Sequence, residues 1–242
     1  MTRQEYIVRI RDGRTDLVLD YCQLGHDPQA CDDQGVPLVN WCAYYGDVTA
    51  VKFLIREGAS LASLGDNYDL NGASFHGHWQ LCQYLIESGA DVRFTLKDTG
   101  ETALHNAVSK ANHPAANYLA RLLLHHGADP NARTIPGVET GAFMRNALTR
   151  GETPLHRAAA FGNAETIRIL LEGGADKTIA DAYGESPIGW ASWHERPGQI
   201  LALLAHGEHR IHPLHEERML KDHGFGWSGG MDINLLGQVH LE

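Results

Sequence analysis

Six glycines set the frame of this chain. Gly25, Gly58, Gly89, Gly127, Gly174 and Gly207 each close a helix-like, mostly leucine-rich segment, and their separations are 33, 31, 38, 47 and 33 residues. A glycine just past a helix accepts the left-handed backbone that other residues adopt only at a cost. Its return at a period near 33 means that one short supersecondary unit is repeated along the chain. Such a unit cannot bury its own apolar face, so the units must stack on one another. The segments around four of the glycines follow one template: AVKFLIREGASL at 50–61, LCQYLIESGADV at 81–92, ARLLLHHGADPN at 120–131 and IRILLEGGADKT at 167–178.

A second landmark runs in phase with the glycines. Thr153-Pro154-Leu155-His156-Arg157-Ala158-Ala159 and Thr102-Ala103-Leu104-His105-Asn106-Ala107 open two helices. Ser186-Pro187-Ile188-Gly189-Trp190-Ala191 and Pro37-Leu38-Val39-Asn40-Trp41-Cys42-Ala43 are weaker copies. The Thr or Ser hydroxyl caps amides of the first turn, and a proline at the first helical position sacrifices no hydrogen bond. On these motifs the chain resembles the ankyrin-repeat family over about residues 6–207. The resemblance implies an all-α fold with short β-hairpins, a solenoid of helix-turn-helix units. It also implies that His105 and His156 hydrogen-bond to backbone between repeats. Thr102, Leu104, His105, Thr153, Pro154, Leu155 and His156 are therefore read as the structural repeat motif.

The expected repeats are 6–31, 32–63, 64–96, 97–132, 148–180 and 181–207, with an insertion at 133–150 and a C-terminal cap at 208–242. The link into the third repeat, around Tyr68-Asp69-Leu70-Asn71-Gly72, is about three residues short, so its first helix is expected to be irregular. The fourth repeat gains four residues near Asn112-His113-Pro114. In the sixth, Glu195 stands where the inter-helix glycine belongs. The tail carries Leu214, Met219, Phe225 and Trp227, expected to fold over Trp190 and Trp193 because a terminal repeat needs a polar outer face.

Composition narrows the function. A formal charge of −10 lacks the basic footprint of a nucleic-acid or anionic-membrane binder. No apolar run reaches a membrane span, and the first residues lack the apolar core of a signal peptide, so a cytoplasmic chain is expected. Cys22, Cys31, Cys42 and Cys82 form no C-x-x-C pair and are read as reduced structural thiols. Gly226-Trp227-Ser228-Gly229-Gly230 matches a nucleophile-elbow string, with Asp232 and His240 following, but too little chain remains to supply the sheet that this elbow requires. His206, His209, His212 and His215 are spaced by three, yet Pro213 interrupts the helix that would gather them. A hydrolase or metal-dependent activity in this His/Gly-rich tail is the alternative to a non-catalytic module. No Walker loop, H-E-x-x-H or dinucleotide fingerprint occurs, so no cofactor, no metal and no catalytic residue is expected.

The expected partner is another protein. The two residues before each inter-helix glycine position should recur once per repeat at the exposed end of the inner helix. They read Arg11-Asp12, Tyr44-Tyr45, Phe75-His76, Ala160-Phe161 and Trp193-His194, with Ser109-Lys110 beside the fourth-repeat insertion. Aromatic side chains dominate binding hot spots. The 133–150 insertion adds Phe143, Met144 and Arg145, residue types enriched at interfaces. Phe143 or Met144 is expected to fill the gap that the fourth repeat leaves in the aromatic column.

Overall fold

In the computed structural model, which describes residues 1–111, 113–140 and 147–208, twelve α-helices follow one another in six pairs. They fall into two compact units. Residues 1–91 hold α1 (Arg3–Arg11), α2 (Val18–Gln23), α3 (Leu38–Tyr44), α4 (Val48–Arg56), α5 (Leu70–His76) and α6 (Trp79–Glu87). The unit that begins at Val92 holds α7 (Ala103–Ala107), α8 (Ala116–His125), α9 (Pro154–Phe161), α10 (Ala164–Glu172), α11 (Pro187–Trp193) and α12 (Gly198–Leu204). The architecture is the mostly helical one that the repeat period implies.

Short side chains at the helix starts set the first unit. Thr2 and Glu5 form a reciprocal capping box on α1, and that bond to the Thr2 backbone holds the Glu5 carboxyl below its usual range. Asp47 caps α4 through the Ala50 amide at 2.9 Å and accepts the Thr15 hydroxyl at 2.7 Å. Ile7, Ile10, Leu38, Leu54, Leu81 and Leu85 are fully buried between the pairs. Cys42 and Cys82 lie in the same core, where burial pushes both thiols up to about 12 and makes them poor nucleophiles. Cys22 is partly buried and Cys31 is exposed.

The third pair departs from expectation in an instructive way. Its first helix, α5, is a regular seven-residue helix, and the irregularity lies wholly before it. Asn67, Tyr68 and Asp69 have φ of 52°, 55° and 52°, a left-handed run that costs L-residues roughly 1–2 kcal/mol each. The short link leaves no room for a hairpin, so the chain reverses through these residues instead. Asn67 clamps the turn, donating to Asp91 O at 2.9 Å and accepting from Asp91 N at 2.7 Å. Glu195 is likewise left-handed, φ 51°, because it stands at the position that glycine takes elsewhere.

The expected hairpins are reduced among the described residues to single bridges, Cys31 with Pro37 and Thr95 with Thr102. One antiparallel pair of strands, β1 (Glu139–Thr140) and β2 (Ala147–Leu148), lies inside the insertion. The described flanks of that insertion are hydrogen-bonded: Thr134 N donates to Glu152 O at 3.1 Å, Ile135 N to Thr99 O at 2.8 Å, and Gly137 N to Thr149 O at 2.7 Å. The expected cap lies outside the described residues from 209 onward. In the second unit Leu155 is fully buried on α9. Leu155→Ala is expected to cost about 2–5 kcal/mol in denaturant titration, and a loss below ~0.5 kcal/mol would contradict its place in the core.

Candidate functional site

The expected aromatic surface divides into two very different parts. In the first unit, α3 ends in Tyr44 with Tyr45 as its cap, and α5 ends in Phe75 and His76. Tyr44 and Tyr45 are 53% and 43% exposed. The Tyr44 ring meets Tyr45 at 5.2 Å and His76 at 5.3 Å, and His76 meets Phe75 at 5.3 Å and stacks on His78 at 5.6 Å. These residues form one contiguous aromatic row. Its backbone support is explicit: His78 Nε2 donates to Tyr44 O at 2.9 Å, and the Tyr45 hydroxyl donates to Arg11 O at 2.9 Å.

In the second unit the same register points inward. Phe161 and His194 are each only 3% exposed and meet ring to ring at 4.9 Å. Phe161 packs with Ala160 and Trp190, and Ala147 from the insertion lies against this cluster. Neither residue presents its ring to a partner, which corrects the expectation for that part of the column. Only Trp193 stays out, 55% exposed. Trp190 is buried and donates its indole N–H to Asp181 Oδ2 at 3.1 Å. Trp41 makes the same bond to Asp32 at 3.0 Å. In both places the carboxylate also accepts two turn amides, so an aspartate nine residues before a tryptophan was a legible signal for this tie.

The gap at Ser109 has a physical cause that sequence reasoning missed. Arg157, to which the sequence reading assigned no role, is fully buried. Its guanidinium donates to Glu152 Oε1 at 2.9 Å and 2.6 Å, pairs with Glu101 Oε1 at 2.6 Å, and reaches Ser109 Oγ at 3.1 Å. The insertion closes over this cluster. Thr140 donates to Glu101 at 2.8 Å and Thr134 donates to Glu152 at 2.6 Å. Burial pulls the Glu152 carboxyl upward, but the Arg157 charge and the bonds from Thr134 and the Arg150 amide outweigh it and bring it down to about 2. The signal was present as Gly100-Glu101-Thr102 and Gly151-Glu152-Thr153, a matched glutamate before each capping threonine.

His105 and His156 sit beside this cluster in matching geometry. Each Nδ1 accepts the backbone amide of its capping threonine, at 3.2 Å from Thr102 and 3.1 Å from Thr153. The other nitrogen must then carry the proton, and it donates to Glu152 O at 3.2 Å and to Glu185 O at 3.1 Å. Burial holds both imidazoles neutral, lowering His105 to about 3, with help from the Arg157 charge, and His156 to about 4. Among the described residues no three His, Cys, Asp or Glu side chains are grouped to hold a metal. Phe143, Met144, Arg145, Ser228, His209, His212 and His215 lie outside the described residues.

The comparison with known families decides the family. The profile described as "Ankyrin repeats (3 copies)" matches residues 40–134 and 136–213. The chain belongs to the ankyrin-repeat family. This ankyrin-repeat chain is similar to a putative palmitoyltransferase, ZDHHC13, of Danio rerio, 30% identical over 222 residues that cover 82% of this chain and 34% of the relative. It is 36% identical to Rabankyrin-5 of Mus musculus over 106 residues, 44% of this chain and 9% of the relative. It is 28% identical to Ankyrin repeat and SOCS box protein 3 of Bos taurus over 176 residues, 62% and 32%. The ankyrin-repeat chain thus spans about a third or less of the length of these relatives. No helix among its described residues is long and apolar enough to cross a membrane.

Proposed function

We propose that this ankyrin-repeat chain is a non-catalytic binding module, a scaffold, adaptor or inhibitor that grips another protein. The observation that supports the reading most directly is the contiguous row of Tyr44, Tyr45, Phe75 and His76, with two of its tyrosines about half exposed. Tyrosine supplies large contact area at low entropic cost, and an exposed patch of this kind marks an interaction surface. In the second unit Trp193 offers a comparable anchor, and the insertion at 133–150, with Phe143, Met144 and Arg145, is the proposed companion surface. The unpaired thiols, two of them deep in the core, suit a reducing cytoplasm.

A partner captured from native lysate and identified by mass spectrometry would be purified and titrated against variants. Tyr44→Ala, His76→Ala and Trp193→Ala are each measured for affinity and for Tm. Loss of about 2 kcal/mol of binding at unchanged Tm is the expected result for at least Tyr44→Ala. Tyr45→Ala is expected to lower Tm as well, because its hydroxyl ties α3 to Arg11 O. Full affinity in all the variants would overturn the proposed surface.

A further inference from the structure

A glutamate precedes the capping hydroxyl in three successive repeats, as Gly100-Glu101-Thr102, Gly151-Glu152-Thr153 and Gly184-Glu185-Ser186. The first two share one guanidinium. Arg157 arrives from the following repeat to pair with Glu101 Oε1 at 2.6 Å and to donate to Ser109 Oγ at 3.1 Å, and it also holds Glu152 of its own repeat. The third glutamate has no such cation. Trp190 stands five residues after Glu185, where Arg157 stands after Glu152, and no helix pair follows α12 among the described residues. The Glu185 carboxylate makes no hydrogen bond or ion pair among the described residues. Ser109 lies seven residues after its capping threonine, and Trp193 lies seven after Ser186. Glu185 and Trp193 therefore repeat the Glu101–Ser109 pair two repeats on, and they face a cavity of about 240 Å³ instead of a guanidinium.

Arg150, Tyr183, Trp190 and His194 complete the walls, and Tyr183 and Trp193 are 61% and 55% exposed, so the mouth is open to a partner. Gly189 takes the motif place of His105 and His156. A Cβ there would collide with Glu185 Oε2, so the glycine lets the carboxylate lie against α11. The charges of the walls do not cancel. Arg150 is matched by the buried Asp181 carboxylate at 2.7 Å, and His194 is held neutral by burial. Glu185 remains the uncompensated charge, and a carboxylate pairs best with a cationic donor. The exposed indole of Trp193 offers a π face to a flat cation, which favours a guanidinium over the compact ammonium of lysine. The chain itself meets both demands with arginine nearby: Arg157 on Glu101, and Arg150 with its guanidinium carbon 4.2 Å from the centre of the Tyr183 ring. We propose that this cavity takes one arginine side chain of the partner protein, which supplies to Glu185 the cation that Arg157 supplies to Glu101. The proposal rests on the protein-binding reading and deepens it, naming what Trp193 anchors. The chain's charge of −10 favours approach of a basic segment.

The test uses the full chain and three capped pentapeptides, with arginine, lysine or citrulline at the centre of four glycines. Citrulline keeps the shape of arginine and removes its charge. Amide and indole chemical shifts are followed by NMR in titrations to millimolar peptide. The arginine peptide should saturably move the Trp193 indole and the Gly189 amide, the citrulline peptide should bind about tenfold more weakly, and lysine should fall between them. Glu185→Gln is the decisive variant, because it keeps the size of a side chain that holds no other described group. It should weaken the arginine peptide about tenfold with Tm unchanged. Trp193→Ala should weaken it severalfold, again without loss of Tm, since the ring is mostly exposed. Equal binding of citrulline and arginine, full binding by Glu185→Gln, or no saturable shift at Trp193 would overturn the pocket. Peptide binding seen only after Arg210→Gln and Arg218→Gln would place an arginine of the chain's own tail in the cavity and overturn the partner as its occupant. Those outcomes leave the protein-binding reading to its own test, the affinity of the captured protein for Tyr44→Ala.

Discussion

Arg157→Leu is expected to cost about 3–5 kcal/mol, the range seen when one partner of a buried ion pair is removed. The loss comes less from the missing bonds than from what they leave behind. Glu101 and Glu152 would both remain buried, within reach of each other's field, with no cation to offset them. Leucine also leaves Ser109 Oγ without its guanidinium donor. Lysine is not a rescue, because one ammonium cannot reproduce the fork that reaches Glu152 twice and Glu101 and Ser109 besides. Adding Glu101→Gln and Glu152→Gln to Arg157→Leu should recover part of the loss by removing the stranded charges. Denaturant titration of the three forms checks this, and a cost below about 1 kcal/mol for Arg157→Leu would show that the cluster is solvated. The insertion should report the same event locally. Thr134 and Thr140 anchor it through those two carboxylates, so the amides of Thr134, Gly137 and Thr149 should exchange faster in the variant.

Acid should unfold the second unit well before its carboxylates titrate. His105, His156 and His194 are all held neutral by burial, lowered to about 3, about 4 and about 4. In the unfolded chain each takes up a proton near pH 6.5. Below that pH the unfolded state binds protons that the folded state cannot, so stability is fully present above pH 6.5 and is lost as pH falls toward 4. Each histidine contributes a slope of about 1.4 kcal/mol per pH unit in that window, so the three together should remove on the order of 4–6 kcal/mol between pH 7 and pH 5. Glu152, held down at about 2, extends the loss in the same direction below pH 4. Tm measured across pH 8 to 4.5 tests this, with His105→Gln and His156→Gln as controls that keep a side-chain donor and acceptor but cannot titrate. A profile as flat in the parent as in the double variant between pH 7 and pH 5 would refute it.

Much of the fold was legible because its determinants are local. A glycine after a helix, a threonine before one and a proline at its first position act through the backbone within four residues, so their phase alone marks the helix pairs. The same locality explains why Glu195, read as standing in the place of a glycine, adopts the left-handed backbone that a glycine takes there. The short link before α5 was also visible, but not its remedy. The strain settled on Asn67, Tyr68 and Asp69, not on the helix, because Asn67 found the Asp91 peptide 24 residues away.

The sequence by itself determined the repeat, its helix pairs, the capping threonines and the two histidines whose geometry matches. Tertiary structure alone decided which of the equivalent positions face water. Tyr45 and Phe161 occupy the same place in the repeat, yet one is 43% exposed and the other 3%, because Phe161 is packed by Trp190 and by Ala147 of an insertion that the first unit lacks. Nothing in the repeat motif marks Arg157 for burial; that comes from Glu101, 56 residues back, and from Thr134 and Thr140 of the insertion set around it. Periodicity reports what each residue does to its own backbone. Burial of charge depends on neighbours supplied from far along the chain, and a repeat pattern carries no record of them.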